Sequence, residues 1–312
     1  MSRRHFAAAM LLASTLAAPP ETHAQSICGT RTHRPRRYEH VVWIWMENHN
    51  YGHVVGSPNA PYINGLIAEC GLATNFHNLT HVSLPNYIGA VTGLGLSELQ
   101  PFLMDCNPGG SCLTDANSLF AQVASWKAYM ESMTTNCQMV GFAPYAVRHN
   151  PPPYLTSLGG CDTFDVPYPE LQADLDADTL PAFAFISPNT LNDMHDGVDP
   201  IALQAGDTWL MNELPKILNS AAYQRGKTGV VVTFDEGEGS QFGEDCATNT
   251  TDESCHIPAI LISPSVRPGT TSGTLFNHYS LLRTTEQMLG VRRRYLLGEA
   301  KRAPSMRRAF RF

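Results

Sequence analysis

The sequence predicts an α/β fold, a three-layer architecture with a mostly parallel sheet and helices on both faces. Three observations lead there. Four strand-length runs are largely apolar, at residues 40–46, 181–187, 227–234 (around Val230-Val231-Val232) and 257–263, as suits strands buried on both faces. Stretches that read as helices, at 61–70, 200–218 and 277–289, are interleaved with them, and alternating strands and helices build parallel sheets. Three of the strands then stop in acids, amides or histidine: Glu47-Asn48, Asp193 with His195, and Asp235-Glu236. The carboxyl ends of parallel strands are where such sheets place their sites.

The elements follow in order. Arg3 and Arg4 lead into an apolar run at 7–18, and Thr22-His23-Ala24 offers a cleavage site before Gln25. Residues 1–24 therefore read as an export signal of twin-arginine type, to be removed from the mature chain. Residues 31–37 are a basic lead-in to the first strand. Pro61 opens a helix, and 71–80 is a short strand and loop. The stretch His81-Val82-Ser83-Leu84-Pro85-Asn86-Tyr87 enters a short helix at 88–94. Residues 97–112, rich in Gly, Pro and Cys, form a stapled surface loop. A helix is predicted over 114–129 and a strand over 137–142. Residues 143–170, with prolines at 151–153, are an irregular insertion covering the site.

The 312 residues, 43% of them hydrophobic, suffice for a large core, and with no internal repeat one domain over 25–290 is the economical division. No run after the signal is long enough to span a bilayer. Net charge is −7, yet residues 291–312 hold eight Arg or Lys and one Glu. That basic tail reads as a solvated, frayed terminus or as a weak contact for anionic lipid. All eight cysteines follow the cleavage site, and an even count in an exported chain suggests disulfides. Closeness suggests Cys106 with Cys112 and Cys246 with Cys255, leaving Cys28, Cys70, Cys137 and Cys161. Cys28–Cys70 and Cys137–Cys161 complete one pairing of the 105 that eight cysteines allow. No CxxC pair marks a zinc site.

The chemistry gathers at the strand ends. Carboxylates crowded there repel one another unless a cation joins them, which argues for a hard divalent metal with oxygen ligands. Ser83, at a loop-to-helix junction, stands beside unpaired backbone N–H groups that favour an anion. Singly, each residue has a plainer reading: Ser83 as an N-cap, Asp235-Glu236-Gly237 as an acidic turn, His195 as a capping histidine, Glu47 as the partner of an arginine. Their joint occurrence is what points to a site.

The ordered series Glu47-Asn48, Thr80-His81-x-Ser83-x-Pro85-Asn86-Tyr87, Asn192-Asp193-Met194-His195-Asp196-Gly197, Asp235-Glu236, Ile257-Pro258 and His278-Tyr279 resembles the bacterial phosphoesterase family. That family holds exported acid phosphatases, including a branch acting on phosphatidylinositol 3-phosphate, and bacterial phospholipases C. It belongs to the alkaline phosphatase superfamily, so the resemblance implies an alkaline phosphatase-like sheet. It also implies roles. Glu47, Asn48, Ser83, Asp235 and Glu236 match metal-binding positions, with Ser83 the nucleophile. His195 is the catalytic histidine; His81 and Asn86 contact substrate, Asp193 meets the phosphate or a second metal, and His278 holds Asp235 or the phosphate. The two-metal members have Asp where this chain has Glu47-Asn48 and Asp-His where it has Asp235-Glu236, so one divalent ion is expected (calcium, magnesium or zinc), with room left for a second. His256 is expected to be structural.

The implied function is that of an exported, monomeric phosphomonoesterase acting through a phosphoserine, with phosphoinositides at a membrane surface among its substrates and no role for nucleic acid. Protonated histidines neutralising the phosphate would give it an acidic optimum. A phospholipase C-type phosphodiesterase and a non-catalytic anion-binding exported protein are the alternatives.

Overall fold

A computed structural model describes residues 26–239 and 242–312; the export-signal reading of 1–24 lies outside them. The described strands form a nine-stranded sheet. They are β1 (His40–Met46), β2 (Gly71–His77), β3 (Trp126–Met130), β4 (Asp165–Pro167), β5 (Phe183–Ser187), β6 (Thr228–Phe234), β7 (His256–Ile262), β8 (Thr270–Ser272) and β9 (Phe276–Asn277). The order across the sheet is β4-β3-β5-β1-β6-β7-β2-β8, and β9 also pairs with β2. The pairs among β4, β3, β5, β1 and β6 are parallel, whereas β7 runs antiparallel to both β6 and β2.

The apolar runs account for the centre. In β1, Val41 to Met46 are all buried, and Trp43 and Trp45 are fully enclosed. Each such aromatic contributes roughly 1.5–3 kcal/mol of hydrophobic stabilisation. β5 and β6, its neighbours, are buried at every position. Helices at Pro61–Glu69, Ser83–Thr92, Ile201–Leu218 and His278–Met288 pack around the sheet. The last is capped by Asn277, whose side chain accepts the Ser280 N–H at 3.1 Å.

The structure departs from expectation in three places. The stretch 114–129 is not one helix: a single turn at Leu119–Gln122 is followed by β3. Trp126 and Tyr129 suit a pleated surface, and edge pairing with β5 and β4 overrides the local reading. Residues 137–142 are not a strand; Cys137 has a left-handed backbone (φ 52°) and Val140 and Phe142 are exposed. Nor is the basic tail frayed. Leu296, Ala300, Met306, Phe310 and Phe312 are buried, and Arg307 donates to the carbonyls of Pro35 and Arg36. Its apolar residues are spaced irregularly because they serve short turns rather than one helix.

All four disulfides take the expected pairing: Cys28–Cys70, Cys106–Cys112, Cys137–Cys161 and Cys246–Cys255. Among the described residues, no helix is long and apolar enough to cross a membrane.

Candidate active site

Three adjacent strands end together, and backbone bonds tie those ends beyond the strands themselves. The Glu47 N–H donates to the Asp193 carbonyl at 2.8 Å, and the Asp235 N–H donates to the Met46 carbonyl at 2.9 Å. Glu47, Asp193 and Asp235 are thereby fixed on one edge, all fully buried. The Ser83–Thr92 helix brings the hydroxyl. Ser83 is its first residue rather than its N-cap, a position Val82 takes, so the helix starts earlier than 88. The Ser83 hydroxyl lies 3.2 Å from Glu47 Oε2 and 3.4 Å from Glu236 Oε1, donating to either.

The carboxylates are held far from their ordinary state. Burial, then repulsion from Asp235 and Asp193, pushes Glu47 well up; burial and Asp235 do the same to Glu236. Asp193 is also raised by burial, and Asp235 is pushed up to about 6. Asp235 Oδ1 accepts the Asn48 N–H at 3.2 Å, while Asp235 Oδ2 and Asn48 Oδ1 are buried without a hydrogen-bond partner. Orphaned oxygens among raised carboxylates fit a hard divalent cation, whose charge would offset the repulsion and whose ligands are oxygens. A second grouping shares Glu47: Glu47, His149 and Asp193 offer ligand atoms that all lie within 4.8 Å of one another. Beside these residues, Asn48, Glu236, Gly237, Glu238 and Gly239 line a cavity of about 390 Å³. Gly237 is required there, because a Cβ would come within 2.4 Å of the Ser254 carbonyl oxygen. A larger cavity of about 520 Å³ includes none of the candidate site residues.

The four residues expected to touch substrate are all engaged inside the protein. Asn86 is fully spent: its Oδ1 accepts the N–H groups of Leu79 and Thr80, and its Nδ2 donates to the carbonyls of Thr80 and Val82. It shapes the turn before Ser83 and has no group left for phosphate. His81 bonds Glu236 Oε2 through Nδ1 and meets Ser254 Oγ through Nε2 at 3.1 Å, orienting the carboxylate. His278 Nε2 donates to the Asp235 backbone carbonyl at 2.7 Å, and its ring stacks on Trp45. Asp193 Oδ1 accepts the His195 N–H at 2.8 Å. Burial lowers His81, and lowers His278 to about 4, so the His278 imidazole is neutral at mildly acidic pH. That is at odds with phosphate neutralisation by buried imidazolium. His195 is different: its side chain is 27% exposed, with Nδ1 2.9 Å from Asp196 and Nε2 accepting from Arg148 Nη2 at 3.0 Å. His256 bonds the Thr74 carbonyl and stacks on Tyr51.

Four residues outside the expected set belong to the site. Tyr87 donates its hydroxyl to Glu47 Oε1; it lies one helical turn after Ser83, a spacing that puts both on one face. His149 is sandwiched, with Nε2 3.3 Å from Glu47 and Nδ1 3.2 Å from Asp193, and burial holds it well below its usual value. Arg148 reaches His195 on one side and Asp105 on the other. Asp105 accepts the Leu84 N–H at 2.9 Å. The last three come from irregular segments with no periodicity to announce them.

A serine hydroxyl thus sits on two buried carboxylates, at the head of a helix and beside oxygens that lack partners. The chain belongs to the Phosphoesterase family, whose pattern matches residues 57–292, and it is a hydrolase of phosphoric esters. It is similar to the phosphatidylinositol-3-phosphatase of Mycobacterium tuberculosis, 29% identical over 91% of this chain and 86% of the relative. It is also similar to a probable acid phosphatase of Kluyveromyces lactis (27% identical, 78% of this chain) and an acid phosphatase of Aspergillus fumigatus (26%, 80%). The chain spans 56% and 54% of those fungal relatives. Among solved structures, a putative sulfatase from Bacteroides thetaiotaomicron matches with a TM-score of 0.59 at 11% identity, covering 88% of this chain and 75% of the other. An alkaline phosphatase superfamily protein from Vibrio parahaemolyticus matches at 0.55 and 15%, covering 86% and 71%. Both likenesses are of fold: a mostly parallel sheet flanked by helices.

Proposed function

We propose that the chain is an exported, metal-dependent phosphomonoesterase of the acid phosphatase type that works through a phosphoserine on Ser83. The observation that carries this is the Ser83 hydroxyl, within 3.2 Å of Glu47 and 3.4 Å of Glu236 inside a buried set of carboxylates. In the first step Glu47 or Glu236 takes the hydroxyl proton as Ser83 Oγ attacks phosphorus, and the ester oxygen departs with a proton from His195. In the second, water attacks the phosphoserine and gives a proton to His195, inorganic phosphate leaves, and Ser83 Oγ takes its proton back from the glutamate. Glu47, Asn48, Ser83, Asp235 and Glu236 would hold one divalent ion; when bound, such an ion lowers the hydroxyl's pKa and draws off phosphoryl charge. Tyr87, His81 and His278 keep the acidic groups oriented. Four disulfides support export, since such bonds persist in oxidising compartments. The mycobacterial relative's name puts phosphoinositide monoesters, presented at a membrane surface, among the candidate substrates.

A release screen tests the reading. Sugar phosphates, nucleotides, phosphotyrosine and phosphoinositides are each supplied with and without chelator. Inorganic phosphate should appear from at least one monoester, stop on chelation and resume when calcium, magnesium or zinc is restored. No release with any of the three metals rejects the proposal. Diacylglycerol from phosphatidylcholine, without monoester cleavage, would reassign the site to phosphodiesters.

A further inference from the structure

Asp105 directly precedes the loop that the Cys106–Cys112 disulfide closes, with its backbone in the left-handed region at φ 47°. Asp is among the few side chains that enter that region readily as single residues. One oxygen of its carboxylate accepts the Leu84 N–H at 2.9 Å. Leu84 directly follows Ser83, and its N–H belongs to the first helical turn, where backbone donors have no helical partner. The other oxygen lies 3.7 Å from Arg148 Nε, in a pair whose side chains are each 27% exposed. A carboxylate thus holds, next to the serine hydroxyl, the two things an anion seeks: a helix-terminal amide and a guanidinium.

A phosphoryl group approaching Ser83 has the same needs and few other places to meet them. Glu47, Asp193, Asp235 and Glu236 are acidic, and His149 is buried between two of them, with burial disfavouring its charged form. Arg148 lends positive charge to Glu47, Asp105, Asp193 and Glu236, joined at Asp105 by His195. Arg148 spends one donor on His195. Its separation from Asp105 exceeds a hydrogen bond, so the planar fork keeps donors suited to a pair of phosphoryl oxygens.

We propose that Asp105 is a placeholder: its carboxylate occupies the seat of a phosphoryl oxygen, the Leu84 N–H and the Arg148 guanidinium form that seat, and the phosphate group binds by displacing Asp105. This rests on the reading of Ser83 as the reacting group. Arg148 is then a substrate-binding residue, and Asp105 sets affinity by competing with the incoming anion.

The two residues should respond in opposite directions. Inorganic phosphate, titrated calorimetrically into the full chain, should bind about tenfold more tightly to Asp105→Asn and at least about tenfold more weakly to Arg148→Gln, each tenfold being 1.4 kcal/mol. Arg148→Lys should recover part of the loss. A purely structural cap predicts weaker binding in both variants together with a lower Tm. Asp105→Ser, whose hydroxyl can also cap Leu84, provides a second neutral variant should Asn fold poorly. Phosphate binding no tighter in either neutral variant, or unchanged in Arg148→Gln, overturns the proposal. Because the titration needs no turnover, the seat can stand while the catalytic reading falls: opposed shifts in a chain that releases no phosphate reject only the latter.

Discussion

On one side of Ser83 the cleft is made of strand ends; on the other it is made of loops. The strand wall carries Glu47, Asn48, Asp235 and Glu236 and is held by the sheet's own ladder, carried one residue further by the Asp235–Met46 bond. The loop wall carries Asp105, Arg148, His149 and His195. It is held by two disulfides and by Asn150, whose side-chain amide donates to Tyr145 and to Asp165. The chemistry divides the same way. The rigid wall concentrates acids, which only a fixed frame can keep close against their repulsion. The loop wall supplies the part-exposed Arg148 guanidinium and His195 imidazole, with His149 buried behind them against Glu47 and Asp193.

The largest effect should come from the junction of the walls. Ser83→Ala should lower kcat on the order of 10³-fold or more while the thermal transition stays near that of the parent, because one buried oxygen is lost but the helix remains. If a tenth or more of the rate survives, Ser83 is not the nucleophile and the strand wall's acids need another explanation.

The loop wall is open to a test that the strand wall is not. Cys137→Ser with Cys161→Ser frees the segment bearing Arg148 and His149. Stability should fall by about 2–4 kcal/mol, as for loops of this size, and activity per folded molecule should fall with it, chiefly through a higher KM. Cys28→Ser with Cys70→Ser is the control. Cys70 sits just before β2, at the amino end of the sheet, opposite the strand ends that carry the acids. It should cost comparable stability and leave kcat/KM of the folded fraction alone. Equal kinetic losses in both double variants would mean that the loop wall has no separate role.

The same contrast explains what could be read in advance. Strands buried on both faces are dominated by apolar residues, so β1, β5, β6 and β7 are legible as runs, and the acids that follow three of them stand out because no acid lies within such a run. β3 was open to misreading: Trp126-Lys127-Ala128-Tyr129-Met130 has no period that separates strand from helix, and its identity is settled by pairing with β5. The reversed direction of β7 leaves no trace in its residues. Arg148, His149 and Asp105 are legible only through their partners, since each acquires its neighbours by long-range closure of a loop. Tyr87 was within reach, four residues after Ser83 on the same helix.

The smallest effect concerns the lock on the loop wall. Asp165 is fully buried. Its Oδ2 accepts from Asn150 at 2.8 Å and its Oδ1 has no partner. Burial pushes its pKa up to about 8, against the opposing pull of that hydrogen bond. The unfolded chain releases this proton near pH ~3.9, so between about 4 and 8 the folded protein binds the extra proton and stability falls as pH rises. The group's contribution is complete below the lower value and gone above the upper. Asp165→Asn keeps an acceptor for Asn150 but cannot ionise. Its Tm should therefore decline less steeply from pH 5 to pH 8 than the parent's, with the two curves closest at the acid end. Parallel curves would mean that Asp165 is already ionised in the fold, and that the segment carrying Arg148 and His149 is anchored by a charge rather than by a neutral acid that loosens toward alkaline pH.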